Sequence, residues 1–580
     1  VIVLITLYRL GKLRSLSLDA TVLNNYWPIS NFPLGKEVDE PHAPSLTSSY
    51  VHGTSSISLL PMTVGQCLDV TVQRWPDREA VVFLQDGIRK TFAQFQQDVS
   101  LNPAYQVKEV EFTLKQVQCK AVVCPTRFKT QHFCEMLREL CPEIDTTPGG
   151  LIQSSRLPDL RMVIVTDSRQ PGMLHVEDVM QAGESRHHKE LMELQRKLSF
   201  DEPINIQFTS GTTGSPKGAV LSHHNIVNNA YFSGLRMGFG QRPEVRVCLP
   251  VPMYHCFGSV LGGINMAVHG ITLVFPSPGY NSQANLEAIQ SKKYGAILFM
   301  ALPLCSPTCS SNRIYTSTTC HQLKLGCGAN ILCLRAIVTK LKTVMNMKEI
   351  TVSYGTTENS PITFLGFPRD NDELKINTVG CIMSHTEAKV VDPDTGEIVP
   401  LGASGELMIR GSCVMHGYWN NPEKTREVIS QDRWYRTGDT ASLNSLGYCR
   451  IEGRMKDMII RGGENIYPAE VEQFLFTHPK VQEVQVVGVK DERLGEQVCA
   501  CIRLRKDQTS SAEEIRAFCK GQISHFKIPH YVLFVDSYPL TVSGKVRHLF
   551  MNKGKRYARI GQTRKIFHSS TETGVNTRPP

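Results

Sequence analysis

The sequence lacks an apolar run long enough to cross a membrane as a helix. Such a span needs about 18 to 20 consecutive apolar residues, and no stretch of the chain approaches that length. We therefore expect no transmembrane segment. A strong charge of one sign is missing too, because the formal net charge is +9 over 580 residues and much of the excess lies near the C-terminus. This distribution outlines no nucleic-acid groove and implies only a general attraction for anionic ligands.

The cysteines lack the spacing of a zinc site. The chain has 18 of them, but no CxxC pair occurs, and several lie inside apolar runs, such as Cys499 and Cys501 in VCACIRL. This pattern favours buried, reduced thiols in an intracellular protein over a disulfide framework.

The first 20 residues carry Arg, Lys and Ser but a single acidic residue, Asp19, and they do not begin with Met. Transit peptides are Arg- and Ser-rich and poor in acidic residues. Two interpretations stay open here. The stretch is either a truncated mitochondrial transit segment, which would place the protein in the matrix, or a disordered leader. A secretory signal is disfavoured because the apolar run is too short.

Strand and helix signals alternate along most of the chain. The apolar runs at residues 80–83, 121–124 and 160–166 are typical of buried strands, and FCEMLREL at 133–140 is typical of a helix. Such alternation predicts an α/β architecture with parallel sheets. Residues 303–333 do not fit the pattern, because Ser, Thr and Cys dominate without a clean period, and we expect a long irregular loop there.

The pattern of residues changes around residues 447–454, and the sequence that follows predicts a smaller α/β unit. In it, Ser511 and Glu514 have the S-x-x-E spacing of a capping box before a helix. We predict four segments from these changes. They are a leader at 1–60, a large domain at 61–455, a small mobile domain at 456–548 and a basic tail at 549–580.

The string TSGTTGSPKG, residues 209–218, follows a predicted strand and has the composition of a phosphate-binding loop. Its glycines let the backbone fold back and point N–H groups inward, its Ser and Thr add hydroxyl donors, and Lys217 adds a positive charge. It is not a Walker loop, because Pro216 precedes the lysine and Gly218 follows it. Composition alone leaves a flexible Gly/Ser turn as the alternative.

Five further motifs follow in an order that, with this loop, resembles the acyl-adenylate-forming superfamily of acyl-CoA synthetases, luciferases and peptide-synthetase adenylation domains. They are PMYHCFGS (252–259), YGTTE (354–358), YRTGD (435–439), GRMKDMIIRGGENIYPAEVE (453–472) and PLTVSGK (539–545). The resemblance covers most of the chain and is strongest to the mitochondrial medium-chain acyl-CoA synthetase group. It implies a large N-terminal domain of parallel α/β sheets and a small mobile C-terminal domain.

The resemblance implies an ATP site made from several motifs. Tyr354 would stack near the adenine, Thr357 would reach a phosphate, and Glu358 would bind Mg²⁺, which prefers hard carboxylate oxygens. Asp439 would accept both ribose hydroxyls, and Arg454 would contact ribose and phosphate. The loop residues of the ATP site would be Thr209, Ser210, Gly211, Thr212, Thr213, Gly214, Ser215, Pro216 and Lys217.

Other roles also follow from the resemblance. Taken alone, His255 is typical of a packed histidine, whereas by resemblance it is a gate at the acyl pocket. Lys456 would be the hinge of the small domain. Lys545 would contact the substrate carboxylate, the α-phosphate and the bridging oxygen. A turn lining the coenzyme A tunnel would comprise Gly462, Gly463 and Glu464. The catalytic residues would be Lys545, Glu358, Thr213 and His255.

The implied reaction activates a fatty acid, of medium chain length by the resemblance, in two steps. The carboxylate attacks the α-phosphate of Mg·ATP to give acyl-AMP and pyrophosphate, and the thiol of coenzyme A then attacks the acyl-AMP. No covalent enzyme nucleophile is needed, because positioning and electrostatics supply the catalysis. The sequence leaves the oligomeric state undetermined.

Two departures from the family pattern keep alternatives open. A strand–helix stretch that the family usually has is missing between Ser100 and Leu101, and the family's adenine-side turn has become GCGAN within residues 303–333. The chain is therefore either an active ligase or an inactive relative that binds nucleotide. A further alternative changes the acyl acceptor to a carrier-protein thiol or to oxygen. Free coenzyme A is favoured because no carrier domain is visible.

Overall fold

The computed structural model describes most of the chain between residues 46 and 538. The gaps within that range are 96–106, 129–130, 148–150, 210–216, 243, 279–280, 291–296, 301–324, 329–341 and 344–348. The junction at residues 100–101, the inner part of the predicted phosphate loop, Lys545 and the tail after it therefore lie outside the described residues, as do residues 1–45.

The chain divides into two compact units between Ile451 and Glu452. The N-terminal unit is large and the C-terminal unit is small, and both combine helices with sheets. This confirms the predicted α/β architecture with a second, smaller domain.

The large unit holds helices that differ widely in length. They are α1 (Val64–Arg74), α2 (Phe92–Phe95), α3 (Val107–Gln116), α4 (Phe133–Leu140), α5 (Val176–Gln181), α6 (Ser185–Lys197), α7 (His223–Arg236), α8 (Cys256–Gly258), α9 (Asn265–His269), α10 (Ser282–Gln290), α11 (Asp372–Asn377) and α12 (Pro422–Val428).

Its strands are mostly short. They are β1 (Tyr50–His52), β2 (Glu79–Phe83), β3 (Ile88–Thr91), β4 (Ala121–Cys124), β5 (Arg127–Phe128), β6 (Gln131–His132), β7 (Met162–Val165), β8 (Leu174–His175), β9 (Pro203–Thr209), β10 (Lys217–Ser222), β11 (Arg246–Cys248), β12 (Thr272–Phe275), β13 (Ile297–Met300), β14 (Leu325–Gly328), β15 (Glu349–Tyr354), β16 (Phe364–Leu365), β17 (Cys381–Ile382), β18 (Thr386–Val391), β19 (Gly405–Gly411), β20 (Gly417–Tyr418), β21 (Tyr435–Leu443) and β22 (Cys449–Arg454).

The largest sheet has nine strands in the order β17-β16-β15-β14-β13-β11-β12-β2-β3. Its centre, from β15 to β2, is parallel, and its outer strands pair antiparallel. The central strands β12 and β15 are almost entirely buried, as expected when a parallel sheet is covered on both faces. The carboxyl ends of these parallel strands form one edge, where open α/β sheets bind their ligands.

Four smaller sheets complete the large unit. Strands β1, β18, β19, β21 and β22 form a five-stranded sheet, and β20, β10 and β9 form a three-stranded one. Strands β4, β7 and β8 are parallel, and β5 pairs with β6. The sheets containing β21 and β10 matter most for the site. They bring the YRTGD motif and the end of the predicted phosphate loop toward the carboxyl end of β15.

Helix α7 is buried on almost every side. Ser222 caps its N-terminus, since the hydroxyl accepts a hydrogen bond from Asn225 N while the Asn225 side chain accepts one from Ser222 N. Ile226 and Ala230 pack into one apolar core, and Val227 and Leu235 pack into another. The polar side chains of this helix are therefore surrounded by protein and need partners there.

The described part of the small unit, up to residue 538, is a mixed sheet with two α-helices. Its elements are β23 (Ile459–Arg461), β24 (Glu464–Ile466), α13 (Pro468–Leu475), β25 (Val481–Asp491), β26 (Gly495–Leu504), α14 (Ala512–Cys519) and β27 (Tyr531–Phe534). Strands β25 and β26 pair antiparallel along most of their length, and β27 joins β26 in parallel. Apolar side chains from both helices and from β23 to β26 form its core.

Three local predictions need correction. Residues 325–328 form β14, inside the region 303–333 that was expected to be an irregular loop, and this strand continues the large sheet between β13 and β15. Residues 50–52, expected in the leader and loop segment, form β1 and pair with β18. At α14, Ser511 accepts a hydrogen bond from Glu514 N, but the Glu514 carboxylate pairs with Lys480 rather than completing a capping box.

Two further observations concern the cysteines and the helices. The cysteines whose side chains the structure describes are buried and form no disulfides with one another, in agreement with the prediction from the sequence. Among the helices in the described ranges, none combines the length and the apolar character of a membrane span.

Candidate active site

The two ends of the phosphate loop are held together by sheet pairing. Strands β9 and β10 are antiparallel, and Thr209 lies opposite Lys217. The Thr209 hydroxyl donates to the Lys217 carbonyl oxygen at 3.4 Å. At Gly218, a Cβ atom would lie 2.7 Å from Ile206 Cγ2, so this position needs glycine for close packing. The other loop residues, 210–216, lie outside the described residues.

Tyr418 connects the end of this loop to the predicted metal-binding carboxylate. Strand β20 pairs with β10 so that Tyr418 lies opposite Ala219. The Nζ atom of Lys217 lies 5.2 Å from the centre of the Tyr418 ring, within cation–π range. The Tyr418 hydroxyl donates to Glu358 Oε1 at 2.8 Å. Tyr418 belongs to none of the predicted motifs, and its one local signal is the aromatic pair in the string HGYW.

Glu358 lies on a tight loop at the carboxyl end of β15. The loop is closed by a hydrogen bond from Thr363 N to the Tyr354 carbonyl oxygen at 2.9 Å. At Gly355, a Cβ atom would lie 1.7 Å from the Pro361 carbonyl oxygen, so the loop folds too closely for any side chain there. Residues Thr357 to Asn359 form a 3₁₀ turn within it. The loop therefore places Glu358, which is half-buried, at the ligand-binding edge of the sheet.

Tyr354 and Asp439 come from separate motifs and are in direct contact. Asp439 lies on β21 with 1% of its surface exposed, and the Tyr354 hydroxyl donates to its Oδ2 atom. Asp439 N donates to Thr437 Oγ1 at 3.0 Å. A buried carboxylate requires a partner such as the Tyr354 hydroxyl, because burial of a charge without hydrogen bonds is strongly unfavourable. The two residues that the resemblance assigns to the nucleoside thus share one buried hydrogen bond.

Tyr435, at the start of β21, lies among these side chains. Burial raises the pKa of this phenol well above its ordinary value, and the nearby carboxylates of Glu358 and Asp439 raise it further. Tyr435 is therefore neutral at physiological pH.

His255 lies at the N-terminus of α8. Its Nδ1 atom accepts a hydrogen bond from Phe257 N at 3.1 Å, so the neutral ring carries its proton on Nε2. The next residue, Cys256, places its Sγ atom 3.4 Å from Thr357 Oγ1. A π-helix at Ser259–Ile264 follows, an irregularity that is frequent at functional sites. The structure therefore brings the His255 segment beside the Glu358 loop.

The remaining predicted residues lie near the boundary of the two units and in the small unit, at strand ends and on turns. Arg454 ends β22, and Lys456 is exposed on the following 3₁₀ turn. Gly462 and Gly463 form the two-residue connection between β23 and β24, with φ angles of 60° and 90°. A type I′ hairpin turn needs positive φ at both positions, which glycine adopts freely. Glu464 begins β24 and is exposed.

Glu472 is a buried carboxylate that the sequence analysis did not single out. It lies on α13 with 2% of its surface exposed, and its Oε1 atom accepts a hydrogen bond from Val486 N at 2.6 Å. Burial raises its pKa to about 8. The side chain is therefore largely protonated at neutral pH inside the core of the small unit.

Family comparison matches both parts of the chain. Residues 97–419 match the family described as AMP-binding enzyme, and residues 470–545 match the AMP-binding enzyme C-terminal domain. The two matches together cover more than half of the sequence.

Whole-chain comparison finds relatives with curated names. The chain is 57% identical over 554 residues to the mitochondrial medium-chain acyl-CoA ligase of Danio rerio, covering 87% of this chain and 90% of that protein. It is 47% identical over 603 residues to the protein of the same name from Rattus norvegicus, covering 93% and 96%.

Solved structures show the same fold at low identity. ATP-bound MatB from Rhodopseudomonas palustris aligns with a TM-score of 0.72 and 22% identity, covering 86% of this chain and 100% of that one. The anthranilate CoA ligase AuaEII in complex with anthranoyl-AMP aligns with a TM-score of 0.73 and 22% identity, covering 87% and 99%.

Proposed function

The chain belongs to the AMP-binding enzyme family, and we propose that it is an AMP-forming fatty acyl-CoA ligase acting on medium-chain acids in mitochondria. The observation that carries the proposal is the connection of Lys217, at the end of the phosphate loop, to Glu358 through Tyr418. This arrangement joins a phosphate-binding loop to a carboxylate suited to a cation. The names of the mitochondrial ligases to which the chain is similar support the same substrate class and location.

In the first step the carboxylate of the fatty acid attacks the α-phosphorus of ATP, and pyrophosphate leaves. The loop at residues 209–218 holds the phosphates, and Lys217 stabilises their negative charge. Glu358 fits a Mg²⁺ ligand, because Mg²⁺ is usually held by one or two carboxylates together with substrate phosphates. A bound Mg²⁺ would supply charge neutralisation on the phosphate oxygens. Thr213 and Thr357 donate hydroxyl hydrogen bonds to the phosphates.

The nucleoside side is formed by Tyr354 and Asp439. The hydrogen bond from the Tyr354 hydroxyl fixes the Asp439 carboxylate, which is then oriented to accept the ribose hydroxyls. Tyr354 offers its ring to the adenine, and Arg454 contacts ribose and phosphate. His255 gates the acyl pocket, in keeping with its position next to Cys256 and the Glu358 loop.

In the second step the thiol of coenzyme A attacks the acyl carbonyl carbon, and AMP leaves. The small domain, residues 456–548, rotates about Lys456 between the steps. Rotation withdraws Lys545, which acts on the α-phosphate in the first step. It brings in the turn that lines the thioester tunnel, formed by Gly462, Gly463 and Glu464. Any leader ends before β1, because that strand pairs with β18 in the large unit, and residues 549–580 form a basic tail.

An inactive nucleotide-binding relative was the alternative, and the described structure does not favour it. The departure at residues 303–333 would have opened the large sheet if its strand were missing. Strand β14 is present there and pairs with both β13 and β15. The parallel centre of the sheet is therefore continuous where it supports the site.

Exchange of labelled pyrophosphate into ATP tests the proposal directly. We expect exchange that depends on Mg²⁺ and on an added acid, with octanoate supporting more exchange than acetate or palmitate. Coenzyme A should then yield octanoyl-CoA and AMP. Absence of exchange with all three acids, from a chain that is folded by circular dichroism, would contradict the proposed function.

The role of Lys545 has its own test. Lys545→Ala should abolish acyl-AMP formation, because the developing negative charge on the α-phosphate loses its counter-charge. It should spare thioester formation from supplied acyl-AMP. Equal loss of both steps would count against the assigned role.

A further inference from the structure

We propose that Asn229, on helix α7, is a positioning residue for Glu358, acting through the backbone of the loop that carries it. The inference rests on the proposed function, in which Glu358 binds Mg²⁺ with ATP. It adds a residue outside every motif of the sequence, contributed by a helix that contacts no phosphate in the proposed mechanism.

Asn229 holds the loop by both ends of its side-chain amide. It is 6% exposed. Its Nδ2 atom donates to the Ile362 carbonyl oxygen at 2.7 Å, and its Oδ1 atom accepts from Ile362 N at 3.1 Å. A longer hydrogen bond of 3.4 Å runs from Nδ2 to the carbonyl oxygen of Asn359, the residue after Glu358. The amide thus pairs with the backbone as a neighbouring strand would.

The loop needs such an anchor because its own conformation is unfavourable. Ser360 has a φ of 66°, in the left-handed region that non-glycine residues seldom occupy. The side-chain amide of Asn359 is buried and makes no hydrogen bond within the described part of the chain, which is also unfavourable. Conformations of this kind persist where the surrounding structure imposes them.

Asn225, one turn earlier on α7, anchors the neighbouring segment. Its Nδ2 atom donates to the carbonyl oxygens of Ser412 at 2.7 Å and Val414 at 3.2 Å. From this segment Met415 N donates to the Glu358 carbonyl oxygen at 2.9 Å. Asn229 therefore supports the backbone that follows Glu358, and Asn225 supports the segment whose Met415 N–H bonds to the Glu358 carbonyl oxygen. The same segment leads into Tyr418.

The same helix offers a matched control in Asn228. This side chain is 2% exposed. Its Oδ1 atom accepts from Leu60 N at 2.7 Å, and its Nδ2 atom donates to the Leu60 carbonyl oxygen at 3.1 Å and the His224 carbonyl oxygen at 3.0 Å. The chemistry matches that of Asn229, but the segment held is a different one.

The experiment compares Asn229→Asp with Asn228→Asp in the full-length chain. Aspartate keeps the shape and the Oδ1 acceptor, but it replaces the Nδ2 donor with an oxygen that faces carbonyl oxygens. We expect both variants to lose thermal stability by similar amounts. Only Asn229→Asp should lower Mg²⁺-dependent adenylation, by roughly 100-fold, since a displacement of about 1 Å at a reacting group has that effect. It should also raise the Mg²⁺ concentration needed for half-maximal exchange.

Thioester formation from supplied acyl-AMP separates positioning from general damage. That step involves no polyphosphate, so Asn229→Asp should leave it close to the rate of Asn228→Asp. A second check is the pair of variants in a Glu358→Gln background. There Asn229→Asp should lower adenylation much less than it does alone, because the residue it positions is already lost.

Several outcomes would overturn the inference. One is equal loss of adenylation and thioester formation in both variants, and another is a fully additive effect with Glu358→Gln. If either aspartate variant does not fold, Asn229→Ala and Asn228→Ala replace the pair and carry the same expectations.

Calorimetric titration with ATP, with and without Mg²⁺, keeps this inference distinct from the proposed function. Mg²⁺ should strengthen ATP binding to the wild type and to Asn228→Asp, and much less to Asn229→Asp. A wild type that forms no acyl-AMP would refute the proposed function, while the titration would still decide the role of Asn229. Equal Mg²⁺ enhancement in all three proteins would refute that role.

Discussion

The Glu358 loop of the large unit and the Gly462–Gly463 turn of the small unit are both assigned to substrate binding, yet they are built differently. The turn is exposed and its shape follows from two consecutive glycines with positive φ. The loop is held by hydrogen bonds from α7 and from residues near Tyr418, which are distant in sequence. A short exposed turn can be specified locally, whereas a loop that places a half-buried carboxylate depends on its surroundings.

We expect the largest effect from a substitution at Gly355, where the Glu358 loop is packed most tightly. Gly355→Ala places a Cβ atom against the Pro361 carbonyl oxygen, 1.7 Å away in the present geometry. We expect loss of adenylation by roughly 100-fold or more, because Glu358 must move with the loop. Gly396→Ala is the control, because its φ of 75° also strains an alanine while its Cβ would meet nothing within 4 Å, so this variant reports backbone strain without a steric clash. Similar activity in the two variants, measured by pyrophosphate exchange, would contradict this account.

A second prediction tests whether the surroundings of Glu472, in the small unit, control the pKa of its carboxyl group. The pKa of Glu472 is raised from 4.5 to about 8, so between those pH values the unfolded state binds fewer protons than the folded state. Stability from this group is therefore lost as the pH rises through that window. Glu472→Gln keeps the acceptor for Val486 N and should flatten this dependence.

We expect the Glu472→Gln variant to be more stable than the wild type at pH 8 by a few kcal/mol, because each unit of pKa shift corresponds to about 1.4 kcal/mol and the amide does not ionise. Thermal melts between pH 5 and pH 8 provide the measurement. Parallel curves for the two proteins would show that Glu472 is ionised in the folded state.

The third prediction tests the hydrogen bond by which Tyr418 connects Glu358 to the end of the phosphate loop. Tyr418→Phe keeps the ring beneath Lys217 but removes the hydrogen bond to Glu358. We expect adenylation at limiting Mg²⁺ to fall by about tenfold, which corresponds to the ~1.5 kcal/mol of a hydrogen bond to a charged group. Tyr448→Phe is the matched control, because the Tyr448 hydroxyl donates to Asp370 Oδ1 at 2.6 Å away from the site. Equal effects of the two changes would remove Tyr418 from the site.

The smallest effect concerns the locally specified turn. Gly463→Ala meets no atom within 4 Å, but its φ of 90° is unfavourable for alanine. We expect a loss of stability of about 1 kcal/mol and a slowing of thioester formation by a few fold, with adenylation unchanged. A loss of adenylation equal to that of Gly355→Ala would abolish the distinction between the two regions.

The motifs named candidate site residues, but they did not predict the contacts between those residues. Tyr354 and Asp439 were assigned to the nucleoside by resemblance, and their mutual hydrogen bond came from the fold. Tyr418 and Asn229 lie in no motif that the sequence analysis recognised. A tyrosine on a two-residue strand and an asparagine in a buried helix have no spacing that distinguishes them from structural residues. Their partners are set by strand pairing and helix packing, which a single sequence does not display.

Local chemistry by itself determined several features. Glycines set the hairpin turn at residues 462–463, apolar runs set the buried strands, and Ser222 and Ser511 set helix starts, because each of these depends on neighbouring residues alone. Family membership also followed from the order of the motifs. Only the tertiary structure decided that Lys217, Tyr418 and Glu358 meet and that α7 holds the loop between them. The physical reason is that buried polar groups take whichever partners the packing of distant segments provides.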